Sequence, residues 1–372
     1  MRVQVVDPSA FTPSYDHALC SALTRTGADV TLLTSRFSYG ATPAPQGYAV
    51  REHFYRHARG GPGSRLRTAW KLAEHVPDMF RYRLAAREAD VVHFQWLDLQ
   101  MLDQYLLPDR PTVLTAHDLL PREARPGQVS AQRRLYERVD ALVVHSEYGR
   151  AQLVERIGVD PAKVHVIHHG AFDHLTRQDC EAPLPVDLRS VSSPVVLFFG
   201  LLRPYKGIDV LLRAWSGISS AELWVVGRPR MPLEPLRALA PDRVRFLPWF
   251  VSDAELPAFF RRADVIVLPY SHTERFDQSG VLATALAFGK AIVLTDIGGF
   301  GEVAATGAAR LVAPDDVGEL RQALSSLLVD PAARERLASA AREAATGLYS
   351  WDEAARKTLA LYGALVGSQS VR

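Results

Sequence analysis

Cysteine is nearly absent from this chain. Cys20 and Cys180 are the two in 372 residues, too few for a disulfide framework or a zinc cluster, so a reducing, cytoplasmic setting is the expectation. An excess of one charge is also missing. The 43 Lys+Arg and 41 Asp+Glu leave a formal +2, which removes bulk nucleic-acid binding as the leading class. No run approaches the roughly 20 apolar residues that span a bilayer. The opening Met1-Arg2-Val3-Gln4-Val5-Val6-Asp7 reads as a strand entering a turn, not as an export signal. No pronounced amphipathic membrane helix, internal repeat or low-complexity tract stands out. Lysine is scarce, five against 38 arginines, so a lysine inside a motif is hard to set aside as filler.

What is present is a globular composition, 48% hydrophobic and 23% charged, at a length suited to two domains of about 150 residues each. Short Val/Ile/Leu runs alternate with helical patterns, the mark of a parallel α/β architecture. Strands are expected at 2–6, 29–34, 90–95, 111–116, 140–145 and 164–168, with helices at 15–26 and 130–139 among them. Residues 171–193 lack periodicity and read as a linker, placing an N-terminal domain at 1–180 and a second at 181–350. The pattern then restarts with a strand over 193–200 and a helix over 206–217. Strands at 221–226, 243–247, 264–268, 291–295 and 310–312 follow, with helices near 232–240, 253–262, 279–288 and 316–346. A last helix from Trp351 carries Asp352 and Glu353 in its first turn, where acids suit the helix dipole. Two doubly wound units imply ligand binding outside the carboxyl ends of their strands, at a cleft between them.

Two motifs carry chemistry. In Phe198-Phe199-Gly200-Leu201-Leu202-Arg203-Pro204-Tyr205-Lys206-Gly207, a strand runs into a glycine turn and two cations sit at a helix entrance, an arrangement suited to a diphosphate. In Gln278-Ser279-Gly280-Val281, small residues open a helix whose free N–H groups a ligand can approach, and Gly289 closes it. An ordinary glycine turn and an ordinary capped helix are the bland alternatives. No Asp-x-Asp pair of the metal-binding kind is present: Leu97-Asp98-Leu99 and Asp315-Asp316 do not fit.

Together with Val92-His93-Phe94-Gln95, Thr115-Ala116-His117-Asp118, Val144-His145-Ser146-Glu147, Ile167-His168-His169-Gly170, Asp264-Val265-Ile266-Val267-Leu268-Pro269, Gly298-Gly299-Phe300-Gly301-Glu302 and Tyr349-Ser350-Trp351-Asp352, these motifs resemble the retaining glycosyltransferases of family 4 (GT4). The resemblance covers nearly the whole chain. It implies the GT-B fold: two Rossmann-like doubly wound domains facing across a cleft, the C-terminal helix 351–372 packing back on the N-terminal domain.

It further implies transfer of a hexose-type unit from a UDP- or GDP-linked sugar to an acceptor hydroxyl, with no metal or other cofactor. Arg203 and Lys206 would stabilise the leaving diphosphate, and His117 would lie beside the reacting sugar, or else cap its strand through Asp118. Gly200, Gly227, Arg228, Phe250, Gln278, Ser279, Gly280, Val281 and Glu302 would bind the donor, although Phe250 reads equally as a core aromatic and Glu302 as a helix cap. Phe11 and Tyr15 of a proline-stiffened loop, with His93, Gln95, Trp96 and His145 at strand ends, would form the acceptor side. The histidines read equally as hydrogen-bonded structural residues; their separations are those of successive strand ends, not of ligands on one element. A front-face route, the leaving phosphate taking the acceptor proton, fits the lack of an obvious nucleophile, and domain closure would exclude water.

Two departures stand out. Leu201 occupies the slot where the family commonly places its arginine, and Phe276 and Thr284 stand where two glutamates are usual, leaving Glu274 or Asp277 to contact sugar hydroxyls. Residues 51–90 hold nine Arg/Lys against five acids. This stretch is either a solvated helix face or a basic surface for an anionic acceptor or membrane face. A small natural-product or glycoside acceptor is favoured over a cell-envelope glycolipid acceptor at a membrane face. An epimerase on the same fold, or an exported sugar-binding protein, are the other readings.

Overall fold

Among the described residues, thirteen strands form two separate parallel sheets. The computed structural model describes residues 1–61, 63–97, 99–121, 125–178, 181–273 and 278–369. The first sheet contains β1 (Arg2–Asp7), β2 (Asp29–Thr34), β3 (Ala49–Glu52), β4 (Val91–Phe94), β5 (Thr112–Thr115), β6 (Ala141–Val144) and β7 (Val164–Val166). The second contains β8 (Val195–Phe199), β9 (Glu222–Val226), β10 (Val244–Leu247), β11 (Val265–Leu268), β12 (Ala291–Thr295) and β13 (Ala309–Val312). Their orders are β3-β2-β1-β4-β5-β6-β7 and β10-β9-β8-β11-β12-β13. Both are the doubly wound order, in which direction reverses beside the first strand, at β1/β4 and at β8/β11. Residues 1–170 and the chain from Trp351 onward make the first compact unit, and residues 171–273 and 278–350 the second.

Central strands are apolar on both faces because helices cover both sides of a parallel sheet; β8, for example, reads Val-Val-Leu-Phe-Phe. The first core gathers Val6, Phe54, Tyr82, Phe94, Leu135 and Tyr136, and the second Phe198, Leu211, Trp215, Val225, Val267 and Val293. Within the first unit, the helix Trp351–Gln369 packs against the helix Pro13–Arg25, and Gly170 permits it: a β-carbon there would lie 2.3 Å from the Trp351 ring. Cys20 is a buried free thiol.

The structure departs from the sequence-based expectations in three places. The span 316–346 is two helices, Val317–Val329 and Pro331–Thr346, because Asp330 ends the first and caps the second through Ala333 N while Pro331 starts a new first turn. The edge strand β3 is wholly exposed and carries no alternation to read. The helix Arg65–Ala85 was anticipated only as a helix face within residues 51–90, without bounds. Residues 171–193 hold a short turn, Asp173–Thr176, and a short helix, Val186–Arg189, and Ala171 and Ala182 donate backbone hydrogen bonds within the second unit. Among the described residues, no helix is long and apolar enough to cross a membrane.

Candidate active site

In the second unit the two sequence motifs meet at the β8/β11 switch point. β8 ends at Gly200, whose φ of 110° belongs to the region that favours glycine. A β-carbon on Gly200 would lie 3.1 Å from Lys206 Nζ and 3.2 Å from Val281 Cγ2, so the ammonium and the first turn of the helix Gly280–Ala287 converge over this backbone. The approach is set by two more glycines. A side chain on Gly227 would strike the Gly200 carbonyl at 1.9 Å, and one on Gly207 the Pro269 carbonyl at 1.8 Å. Lys206, 7% exposed, rests over the Tyr270 ring, and the Tyr270 hydroxyl reaches Ser279 Oγ at 3.2 Å. Tyr270 is absent from the sequence-based set, although its place just past Pro269 at a strand end was a usable signal.

Arg203 is half-buried, and its Nε has no hydrogen-bond partner among the described residues. Buried cationic N–H groups are rarely left unpaired, so this one is poised for an anion. Gln278 Oε1 accepts from Ser279 N at 3.1 Å. Thr284, in the family's glutamate position, is buried and donates its hydroxyl back to Gly280 O at 2.8 Å, which takes it out of sugar recognition. Arg228 O accepts from Leu202 N, holding that loop against the glycine turn. Trp249 and Phe250 are exposed beyond β10 and are not core residues. Glu302 lies in the first turn of the helix Phe300–Ala305. Glu274 and Asp277 lie outside the described residues.

The first unit builds its own site at the β1/β4 switch point. Asp7 ends β1 fully buried and accepts from Ser9 N at 3.2 Å, Phe11 N at 2.6 Å and Thr12 N at 3.1 Å, so its carboxylate organises the proline-bearing loop. Asp16 is buried beside it and shares a side-chain hydrogen bond with it; burial and the neighbouring Asp7 push Asp16 well above the ordinary carboxyl range, so one proton is held between the two acids. This pair was not anticipated.

Phe11 lies edge-on against Trp96, which donates its indole N–H to Thr12 Oγ1 at 3.0 Å and stacks on His117 with ring centroids 5.0 Å apart. His117, half-buried past β5, meets Gln95 Oε1 at 3.1 Å and His145 Nε2 at 3.4 Å. Gln95, Trp96 and His117 border a cavity of ≈ 90 Å³ that Gln100, Asp118 and Gln132 also line. Gln95 Nε2 is buried without a partner among the described residues.

Burial, reinforced by His145, His169 and His93, holds the His117 pKa well below the usual histidine value, so it acts as a neutral hydrogen-bonding ring. His145 donates Nδ1–H to Ile167 O at 2.9 Å, which makes its Nε2 an acceptor when neutral. Donation from His117 Nδ1 then leaves His117 Nε2 to accept, and a half-turn of the Gln95 amide supplies the matching N–H. Tyr15 is buried against His117, His145, His169 and Trp351. His93 is different. It is 1% exposed, its Nδ1 meets Tyr362 OH at 2.6 Å and its Nε2 meets Thr115 Oγ1 at 2.7 Å. Its Nδ1 ties β4 to the C-terminal helix and its Nε2 ties β4 to β5, so both nitrogens already have partners. Tyr15 and His145 are likewise buried, each with its ring against that of His117.

Residues 15–171 match the family described as Glycosyltransferase Family 4, and residues 193–330 match Glycosyl transferases group 1. The chain belongs to this glycosyltransferase family. D-inositol 3-phosphate glycosyltransferases of Mycobacterium bovis and Mycobacterium tuberculosis align with it at 31% identity over 312 residues, covering 75% of this chain and 62% of each relative. The chain thus spans less than two thirds of those relatives' length. Among solved structures, sucrose-phosphate synthase from Thermosynechococcus elongatus superposes with a TM-score of 0.78 at 19% identity, covering 99% of this chain and 100% of that one. Anabaena HepE in complex with UDP-glucose gives 0.72 at 19% identity, covering 97% and 99%. The fold is accordingly of the GT-B type, with two Rossmann-like parallel-sheet domains.

Proposed function

We propose that the chain transfers a hexose-type unit from a UDP- or GDP-linked donor to an acceptor hydroxyl with retention at the anomeric carbon and without a metal. The supporting observation is the convergence of Lys206 Nζ and the 280–287 helix entrance over Gly200, beside an Arg203 whose Nε is unpaired. As the bond from the anomeric carbon to the diphosphate oxygen breaks, negative charge grows on the leaving group. A fixed ammonium, a guanidinium and helix N–H groups stabilise that charge most in the transition state. The acceptor oxygen bonds to the same face of the sugar, and its proton passes to the departing diphosphate. HepE binds UDP-glucose, which favours uridine. His117, neutral and beside the Trp96 cavity, would hydrogen-bond a sugar hydroxyl. The setting remains a reducing, cytoplasmic one.

A small soluble acceptor is the first choice. A glycolipid acceptor at a membrane face is the second, because the helix Arg65–Ala85 exposes Leu66, Trp70, Phe80 and Leu84.

The test is Lys206→Ala in a thermal-shift screen of nucleoside diphosphates and nucleotide-sugars, followed by turnover. Wild type should be stabilised by ligand, by about 2.7 kcal/mol at a hundred times Kd. The variant should lose that shift and about a hundredfold or more in kcat/KM. Unchanged donor affinity and turnover would defeat the reading. Conversion of the nucleotide-sugar without acceptor, followed by NMR, would identify an epimerase instead, and turnover in chelator tests the lack of metal.

A further inference from the structure

The helix Arg65–Ala85 is apolar on two opposite sides. His75, Met79 and Tyr82 are buried against the first unit, at the three- and four-residue spacing that places side chains on one face. Leu66, Trp70, Ala73, Pro77, Phe80 and Leu84 also recur at alternating intervals of four and three, yet all six are exposed. Leu66 is 57% exposed, Phe80 54% and Leu84 61%, although these are side chains that folding normally covers. At 1.5 Å per residue the stripe runs about 30 Å, longer than isolated apolar residues on a monomer surface account for.

Its borders are basic. With 100° between successive residues, Arg65 and Arg83 fall along one edge of the stripe and Arg67 and Arg81 along the other. Arg81 pairs with the buried Asp78 and Arg83 with Asp109, while the stripe's edge holds one acid, Glu74, which lies beside His57. Apolar side chains between two rows of arginine suit a flat surface that is greasy within and negative at its rim. A second copy of the chain fits poorly, since a face-to-face pair would set arginine rows against each other. The short helix Gln100–Asp103, tied to this one by His75 Nε2 and Asp103 Oδ1 at 2.5 Å, exposes Met101 and Leu102 as well.

We propose that this helix lies flat on a bilayer surface rich in anionic lipid, its apolar stripe in the headgroup boundary and its arginines on the phosphates. Docking is independent of the transfer chemistry and of the acceptor's identity.

The experiment is co-sedimentation of the full chain with vesicles of phosphatidylcholine alone and of phosphatidylcholine with an equal part of phosphatidylglycerol. Wild type should partition at least about tenfold more strongly onto the anionic vesicles, and high salt should weaken it. The triple variant Leu66→Ser, Trp70→Ser, Phe80→Ser alters exposed positions, so it should keep its melting temperature and nucleoside diphosphate binding while losing about tenfold or more in partitioning. Should that variant misfold, Arg65→Gln with Arg83→Gln removes the charge alone and should reduce only the anionic component. Wild type left in the supernatant with both vesicles, or folded variants that bind undiminished, would overturn the proposal. So would a wild-type dimer that the triple variant converts to monomer while neither form binds vesicles.

Discussion

Lys206 sits over the face of Tyr270, its Nζ 4.9 Å from the ring centroid, while the hydroxyl of the same tyrosine reaches Ser279 Oγ at 3.2 Å. One buried side chain thus couples the cation of the first motif to the helix entrance of the second. The two links separate by substitution. Tyr270→Phe keeps the ring under the ammonium and should change nucleoside diphosphate affinity by no more than a few fold. Tyr270→Leu removes both links, and a desolvated cation–π contact of about 1–2 kcal/mol predicts a loss of about tenfold. Titration calorimetry of the two variants distinguishes them; equal affinities would show that the ring does not position Lys206.

Gly200 and Gly227 make a graded pair. At Gly200 an added methyl meets the movable end of Lys206 and strains a φ of 110°. Gly200→Ala should cost about 1–3 kcal/mol and displace the ammonium, so donor affinity falls in a protein that still folds. At Gly227 the methyl would sit 1.9 Å from a backbone carbonyl, which cannot move aside as a side chain does. Gly227→Ala should therefore melt at a clearly lower temperature than Gly200→Ala. The reverse order would contradict the packing described here.

His93 supplies a test of structure against chemistry. His93→Leu leaves the buried Tyr362 hydroxyl without its partner, at a cost of about 1–3 kcal/mol. It should lower the melting temperature while leaving nucleoside diphosphate binding unchanged. A variant of wild-type stability with an impaired acceptor KM would instead make His93 an acceptor contact.

The strands were legible because a strand buried on both faces is written as an uninterrupted apolar run, as in Val-Val-Leu-Phe-Phe of β8. The meeting of the two motifs at the β8/β11 switch point was legible because a glycine turn followed by a scarce lysine is a local pattern. What escaped notice depends on partners distant in sequence. Tyr270 matters through Lys206 and Ser279, and Asp16 through Asp7. His93 and His117 both read as strand-end residues, yet His93 lies within β4 with its ring in the core and His117 lies past β5 beside the Trp96 cavity. The bounds of the helix Arg65–Ala85 were hidden by apolar residues on both faces, which blur the helical period, and by Pro77 within it.

Acid should unfold the first unit through its histidines. Burial lowers His93 and His145 to about 3 and His169 to about 4, and holds His117 well below its usual value. Below about pH 6.5 the unfolded chain takes up protons that these folded rings refuse, so the unfolded state binds more protons and stability falls with pH. Asp16 acts in the opposite sense, because its raised folded pKa lets the native state hold a proton that the unfolded carboxyl has released above its ordinary range. Four rings outnumber one shared proton, so the net slope follows the histidines, at roughly 1.4 kcal/mol per pH unit for each net proton. The melting temperature should be level near neutrality and drop steadily from about pH 6.5 toward pH 4.5. His145→Asn should begin lower and fall less steeply, since one refused proton is gone. A wild-type profile flat to pH 4.5, or a variant with an unchanged slope, would show that these rings do not govern acid stability.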